Sequence, residues 1–174
     1  APVLSARFPT TSKNIERGQL VDLQVSTELQ GGAAATDPDS VECVRWLRAN
    51  VNVTHVQQRV ELLDDAGNFV SAGTPDIVGT DSWGSPETVL ILDLKKKEQW
   101  LANRLPPVDD SLQLHCYSIA HVRRGFTKYR QAYILFGDGA VEVEWSREYT
   151  HIEWDPILER IKKVCLDYGP TAES

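Results

Sequence analysis

Four histidines are the first residues to consider for chemistry, because histidine is both a common metal ligand and a common acid–base catalyst. His115 and His121 have the same parity on a predicted strand, where they would lie about 20 Å apart, too far to share one metal ion. His151 and Glu153 resemble half of the zinc deaminase pattern, but the P-C-x-x-C that completes it is absent. We therefore interpret the histidines as structural and predict neither a metal site nor a cofactor.

Closely spaced acids are the second set, because two carboxylates about 5 to 10 Å apart can hydrolyse a glycosidic bond. The tight groups are Asp64–Asp65, Asp109–Asp110, Glu142 with Glu144, and Glu153 with Asp155. We assign the first two groups to turns, the third to a solvated sheet face and Asp155 to a helix cap. Only Glu153 is a candidate for a pKa shifted by burial, and a structural role at a strand end is the favoured interpretation.

Two further kinds of site are absent from the sequence. Neither phosphate-binding glycine motif, G-x-x-x-x-G-K-[ST] or G-x-G-x-x-G, occurs. The segment from Ser82 to Ser85 does not match the turn that presents a nucleophilic serine. An enzyme would therefore have to use dispersed acids and histidines.

A basic and aromatic cluster follows residue 122. Proteins that bind single-stranded nucleic acid place aromatic rings beside basic residues in this way. We keep a single-stranded nucleic acid or anion contact as an alternative, and a charge-balanced sheet face as the favoured interpretation. The candidate partner-contact residues are Arg123, Arg124, Phe126, Lys128 and Arg130, together with Trp83 from a separate loop.

Composition excludes some classes of protein. The 174 residues include 25 acids and 18 basic residues, a net charge of −7 that argues against a dedicated partner of duplex nucleic acid. No apolar run approaches the roughly 20 residues that a membrane span needs. We interpret the three cysteines, Cys43, Cys116 and Cys165, as buried thiols, with one disulfide plus a free thiol as the alternative. Because only the disulfide would require an oxidising compartment, the cysteines do not determine the cellular compartment.

The elements that must position these residues follow from hydrophobic periodicity and from turn residues. Alternation predicts strands at 21–29 and 111–122. An acidic turn that ends in glycine predicts a hairpin at 59–63 and 68–71, and a continuous apolar run predicts a buried strand at 88–94. Helices are predicted at 38–49, at 95–105 and after Asp155, which should cap the last helix ahead of Pro156. Residues 1–14 are predicted to form an extended arm, Arg17-Gly18 a turn, and 31–35 and 73–86 loops.

The clearest hairpin is predicted at 127–147, turning at Gly137-Asp138-Gly139. With a three-residue turn, the numbers of facing residues sum to 276, which places Lys128 opposite Glu148. The predicted core face carries Tyr129, Tyr133, Leu135, Val141, Val143 and Trp145, and the other face carries Lys128, Arg130, Glu142, Glu144 and Glu148. A two-residue turn would change these partners.

Together the elements predict a β-rich α+β fold. We expect an antiparallel β-sandwich or jelly-roll-like core with two or three short helices, including a C-terminal helix. Residues 15–174 are expected to form a single domain after the arm.

The predicted function is that of a non-catalytic, self-associating structural protein, such as a virion, tail or shell component. An extended arm and a long loop that carries Trp83 would let the chain reach protein partners, which we expect to include other copies of itself. The first alternative is a monomeric ligand- or carbohydrate-binding module that uses Trp83 and Trp100. The second alternative is an enzyme with a dispersed acid and histidine site.

Overall fold

A computed structural model describes residues 12–168, which form five α-helices, a short 3-10 helix and eight strands. The helices are α1 (Ser12–Leu29), α2 (Pro38–Asn50), α3 (Lys97–Leu101), α4 (Leu112–Val122) and α5 (His151–Tyr168), and the 3-10 helix is Val108–Asp110. The strands are β1 (Val51–Val56), β2 (Val60–Leu63), β3 (Phe69–Gly73), β4 (Ile77–Asp81), β5 (Thr88–Lys96), β6 (Lys128–Gly137), β7 (Ala140–Trp145) and β8 (Tyr149–Thr150).

Six of these strands form one mixed sheet. Its order is β1-β4-β5-β6-β7, and β8 pairs with β6. Strands β5 and β6 are parallel, whereas the other pairs are antiparallel. A parallel pair requires a crossover connection, and the segment between β5 and β6 contains α3 and α4. The hairpin β2–β3 forms a separate two-stranded sheet.

The mixed sheet is covered on both faces. One face packs against α1 and α2 through a core that includes Val25, Leu47 and Leu92. The opposite face packs against α4, α5 and the β2–β3 hairpin, and its core includes Ile91 and Ile119. Burial on both faces explains the nearly continuous apolar sequence of β5.

The α+β class and the C-terminal helix are confirmed, but a sandwich is not. In the part of the chain that the structure describes, mainly helices cover the mixed sheet. There are five α-helices, whereas two or three were expected. Within the same range, no helix combines the length and apolar composition needed to cross a bilayer.

Several predicted elements are present. The helix predicted at 38–49 is α2, with Asp37 as its cap, because the Asp37 carboxylate accepts from the backbone N–H groups of Asp39 and Ser40. The hairpin of β2 and β3, the buried strand β5 and the loop at 31–35 also match the predictions. All three cysteines are free; Cys43 and Cys116 are buried and Cys165 is half-buried.

Two predicted strands are wrong. Residues 21–29 lie in α1 and residues 111–122 form the capped start and body of α4. In α1 the fully buried residues Val21 and Val25 are four positions apart, a spacing that fits a helical turn as well as a strand. In α4 the helix is buried from Leu114 to Val122, so its apolar positions are not confined to one face.

Element boundaries also differ from the predictions. Helix α1 begins at Ser12, so Arg17-Gly18 is not a turn; most of the predicted arm, residues 1–11, lies outside the described residues. The predicted loop at 73–86 contains β4. The helix predicted at 95–105 is shorter than expected and is limited to α3, Lys97–Leu101. Helix α5 starts at His151, so Asp155 is inside the helix and not its cap.

The predicted register of the last hairpin is wrong by one residue. Gly137 pairs with Ala140, which leaves a two-residue turn of Asp138 and Gly139, both with positive φ, as in the turns that match strand twist. Tyr133 therefore faces Glu144, and the predicted core face is divided between the two faces of the sheet. Tyr129, Tyr133 and Leu135 contact the core beside α4, whereas Val141, Val143 and Trp145 pack against the core beside α2. The Lys128–Glu148 ion pair is nevertheless present, with Nζ and Oε1 3.5 Å apart.

Candidate functional site

Polar side chains gather where β4 begins and β5 approaches its end. Ile77 of β4 pairs with Leu92 of β5, so Asp76, which precedes β4, lies next to Asp93. Residues two apart on a strand point to the same face, which places Lys95 beside Asp93. Two adjacent strands therefore bring two carboxyl groups and one ammonium group together.

Hydrogen bonds fix these groups in place. Asp76 Oδ2 accepts from the backbone N–H of Leu94 at 2.8 Å, and Asp76 Oδ1 accepts from Gln57 Nε2 at 3.0 Å. The carboxyl groups of Asp76 and Asp93 are also hydrogen-bonded to each other. Lys95 Nζ lies 3.3 Å from Asp93 Oδ2.

The pKa values of the two carboxyl groups are shifted in opposite directions. Burial and the charge of Asp93 raise the pKa of Asp76 well above its ordinary value. Burial opposes ionisation of Asp93 too, but the charge of Lys95 and the hydrogen bond from Asp76 outweigh it and lower the pKa of Asp93. Like charges this close oppose joint ionisation of the pair, and the directions of the two shifts favour the proton on Asp76.

A third acid adds to the negative field. Asp22 projects from α1, and burial followed by the charge of Asp93 raises its pKa to about 7. These four titratable side chains shift one another's pKa and come from three parts of the fold; we call them the Asp76–Lys95 site: Asp22, Asp76, Asp93 and Lys95. Perturbed ionisation of this kind is a feature of functional sites.

The Asp76–Lys95 site is mostly buried and reaches solvent only in part. The side chain of Asp93 is 17% exposed and that of Lys95 is 31% exposed. A cavity of about 480 Å³ lies nearby, between the end of α1 and β1, and its lining includes Gln57 but none of the four site residues. A ligand would therefore reach the site through the exposed parts of Asp93 and Lys95, where β4 begins and β5 approaches its end, and not through this cavity.

Two tyrosines border the site. Tyr117 Oη accepts from Gln113 Nε2 at 3.0 Å, and burial together with Asp93 raises the pKa of Tyr117. A Cβ at Gly73 would lie 2.4 Å from Tyr117 Oη, so only glycine leaves room for this ring. Tyr133 donates to the carbonyl of Pro106 at 2.9 Å, and burial raises the pKa of Tyr133 to about 12.

Carboxylate oxygens are ligands for hard divalent cations. Mg²⁺ is usually held by one or two carboxylates, with water and substrate phosphate completing its shell. Asp76 and Asp93 meet that requirement. Within residues 12–168 there is no group of three or more His, Cys, Asp or Glu side chains able to hold an ion. An ion at this site would therefore depend on water or substrate for its remaining ligands.

The sequence-predicted contact residues have separate local partners. Arg123 pairs with Asp65 at 3.0 Å, Lys128 pairs with Glu148, and Arg130 lies over the ring of Trp145, 4.4 Å from its centroid. Arg124 is exposed, while Phe126 packs against the core. Trp83 is 81% exposed in the loop before β5, and its Nε1 donates to the carbonyl of Ala49. The buried rings of Tyr129 and Tyr133 are not available for base stacking.

The residues singled out for catalysis have structural contacts. His115 is buried, with Nδ1 2.8 Å from Tyr129 Oη and Nε2 2.7 Å from the Asp109 carbonyl oxygen. The pKa of Glu153 is lowered, not raised, because its carboxylate accepts from the backbone N–H of Thr150 and pairs with Arg147.

Sequence reasoning missed the Asp76–Lys95 site because its acids are far apart along the chain. One signal was available: Asp93 lies inside a strand that is buried on both faces, where an acid must be paired. Lys95 lies two residues after Asp93, so both side chains are on the same face of the strand. Asp76 lies in the segment 73–86, which was predicted to be a loop, so its place beside Asp93 was not predicted.

Comparison with known proteins does not assign the chain to a family. No protein-family model matches the chain, and no curated protein matches it significantly. The chemistry of the Asp76–Lys95 site must therefore be inferred from its residues.

Proposed function

We propose that this protein is a divalent-cation-dependent hydrolase of phosphodiester bonds in single-stranded nucleic acid. The observation that carries the proposal is the meeting of two hydrogen-bonded carboxyl groups with an ammonium group, at neighbouring ends of two central strands of the sheet. Sites built on strands hold reacting groups in place better than sites on loops.

A cation suits the Asp76–Lys95 site for an electrostatic reason. Asp22 and Asp76 both resist ionisation because of burial and the charge of Asp93. A bound divalent cation would reverse this effect, since an opposite charge favours the ionised form of a carboxylate. The oxygen-only donor set favours Mg²⁺ or Mn²⁺.

The residues fit phosphoryl transfer. When bound, a divalent cation polarises a phosphoryl oxygen and lowers the pKa of a coordinated water molecule. Lys95 supplies a fixed positive charge beside Asp93, where it can stabilise the negative charge that develops on phosphate oxygens. Asp93, whose pKa is lowered, can accept a proton from the attacking water as the new P–O bond forms, while the P–O bond to the leaving sugar oxygen breaks and that oxygen takes a proton from solvent water.

The short basic run beside the site favours a polymer over a small enclosed substrate. Lys95, Lys96 and Lys97 are consecutive and pair with Asp93, Glu98 and Glu142, so a nucleic acid strand would compete with these carboxylates for the ammonium groups. Local charge is sufficient to guide a single strand, whereas a duplex partner would need a wider basic face.

The test is cleavage of a fluorescently labelled single-stranded oligonucleotide with Mg²⁺ or Mn²⁺. We expect Asp93→Asn and Lys95→Ala each to reduce the rate by at least about 100-fold, as removal of a charged transition-state contact does. Glu98→Gln, an exposed neighbour on α3, is the matched control and should cleave normally. Cleavage that persists in EDTA, or a normal rate for Asp93→Asn, would overturn the proposal.

Self-association is a second proposal, carried over from the sequence. It is favoured by the large exposed apolar side chains of Trp83, Leu101 and Ile152, which are 81%, 73% and 76% exposed. Light scattering after size-exclusion chromatography should show a mass of two or more chains that falls in Trp83→Ala. A monomer at every concentration would refute it and would favour the binding-module alternative.

A further inference from the structure

Two histidines from different elements meet on the side of the fold that carries α4. His55 lies in β1 and His121 in the last turn of α4. Their ring centroids are 5.2 Å apart, and the ring planes are inclined by 57°. Neither residue belongs to the Asp76–Lys95 site, so the inference drawn from them does not depend on the proposed function.

One nitrogen of His121 is unsatisfied. The residue is 1% exposed, and its Nε2 is buried with no hydrogen-bond partner. Buried polar atoms almost always have a partner, and an exception calls for a reason such as an ion. Burial, the charge of Arg124 and His55 lower the pKa of His121 to about 4, so the ring is neutral and has a lone pair at physiological pH.

The tautomer of His55 follows from its neighbour. Thr54 Oγ1 donates its proton to the carbonyl oxygen of Val78 at 3.1 Å, and it lies 2.9 Å from His55 Nδ1. With the hydroxyl proton directed to Val78, Thr54 Oγ1 is free to accept from Nδ1 of His55, and in that tautomer the lone pair of His55 is on Nε2. This is the arrangement of a metal-binding histidine, whose second nitrogen donates to a fixed acceptor.

The spacing fits one ion. With metal–nitrogen bonds of about 2.0–2.1 Å and a tetrahedral angle, two imidazole rings on the same Zn²⁺ have centroids roughly 5 Å apart. The observed separation is 5.2 Å. His55 also lines the cavity of about 480 Å³ between α1 and β1, so its ring is accessible from that side, whereas His121 is not part of the lining.

We propose that His55 and His121 bind a transition-metal cation of the Zn²⁺ class, with water completing the coordination shell. The bound ion would join β1 to the end of α4. Neutral imidazole nitrogens select Zn²⁺, Ni²⁺ or Cu²⁺ over Mg²⁺, so this site and the Asp76–Lys95 site would take different cations. Arg124 opposes the added charge, and two protein ligands give moderate affinity.

The experiment is titration of the full chain with Zn²⁺ by calorimetry, together with NMR of the histidine side chains. We expect one ion per chain and shifts confined to the rings of His55 and His121. His55→Ala should weaken binding by at least about tenfold, as loss of a ligand requires. His55 is only half-buried, so this variant avoids the packing cost of replacing His121.

Two controls locate the ion. The exposed His151 is the matched histidine, so His151→Ala should bind Zn²⁺ as the wild type does. Asp93→Asn should also bind normally, because it alters only the Asp76–Lys95 site. Absence of Zn²⁺ binding at millimolar concentration, or unchanged binding by His55→Ala, would overturn the proposal. Loss of binding in Asp93→Asn would overturn it as well, while leaving the proposed hydrolase intact.

Discussion

Replacement of Asp22 by asparagine should stabilise the cation-free protein in a pH-dependent way. The Asp22 carboxyl group resists ionisation because it is buried and faces Asp93, whereas a neutral amide of the same shape avoids this cost. Asp22→Asn should therefore be more stable at neutral pH, although it removes a side chain from the proposed active site. A gain in stability when a side chain of a functional site is replaced is typical of residues that are kept for function and not for stability.

The magnitude follows from linkage. A pKa raised from 3.8 to about 7 corresponds to at most about 4 kcal/mol, since each pKa unit is worth about 1.4 kcal/mol. Asp22 is only half-buried, and solvent screening reduces this to about 1–3 kcal/mol. Well below pH 3.8 the carboxyl group is protonated in both states and the two proteins should match. As the pH rises towards 7, the unfolded chain loses this proton first, and wild-type stability falls relative to Asp22→Asn.

The assay is urea unfolding in EDTA, followed by tryptophan fluorescence at several pH values between 4 and 8. Asp155→Asn, an exposed acid in α5, is the control and should show no such trend. Addition of Mg²⁺ should reduce the advantage of Asp22→Asn, because a nearby cation favours the ionised carboxylate. A difference that does not change with pH, or a wild type that is more stable at pH 8, would refute the reasoning.

Three further predictions concern stability and reactivity. Gly73→Ala should cost about 1–3 kcal/mol in urea unfolding, because the new Cβ would lie 2.4 Å from Tyr117 Oη, and a Tyr117→Ala background should remove this penalty. Asp37→Ala should lower the free energy of unfolding by about 1–2 kcal/mol through loss of the α2 cap, and full stability in thermal denaturation would contradict this. Burial raises the pKa of Cys43 to about 12, so a thiol reagent at pH 8 should modify the half-buried Cys165 well before Cys43; the reverse order by mass spectrometry would count against the prediction.

Short sequence motifs were sufficient to predict elements whose stabilising contacts lie between neighbouring residues. Asp37 followed by Pro38 marks the start of α2 whatever surrounds it, because both act on the first turn of the helix. The hairpin of β6 and β7 was found from its glycines, although its register was missed by one residue. That error arose because the strand is buried on both faces, so its own apolar pattern does not choose a register.

Residues 111–122 show where periodicity fails. Nearly every side chain from Leu114 to Val122 is buried, so an apolar run can be read as a strand or as a helix. Only the position of α4 between the parallel strands β5 and β6, where a crossover is required, distinguishes the two. The same packing brings His121 against His55, which are far apart in the sequence.

The sequence by itself determined an α+β chain with a capped α2, a buried β5 and a C-terminal helix, since these depend on neighbouring residues. Only the tertiary structure brought Asp22, Asp76, Asp93 and Lys95 into one electrostatic field. The physical reason is that ionisation depends on distance and burial in space. The pairing of β4 with β5 places Asp76 beside Asp93, and no short-range pattern in the sequence records that pairing.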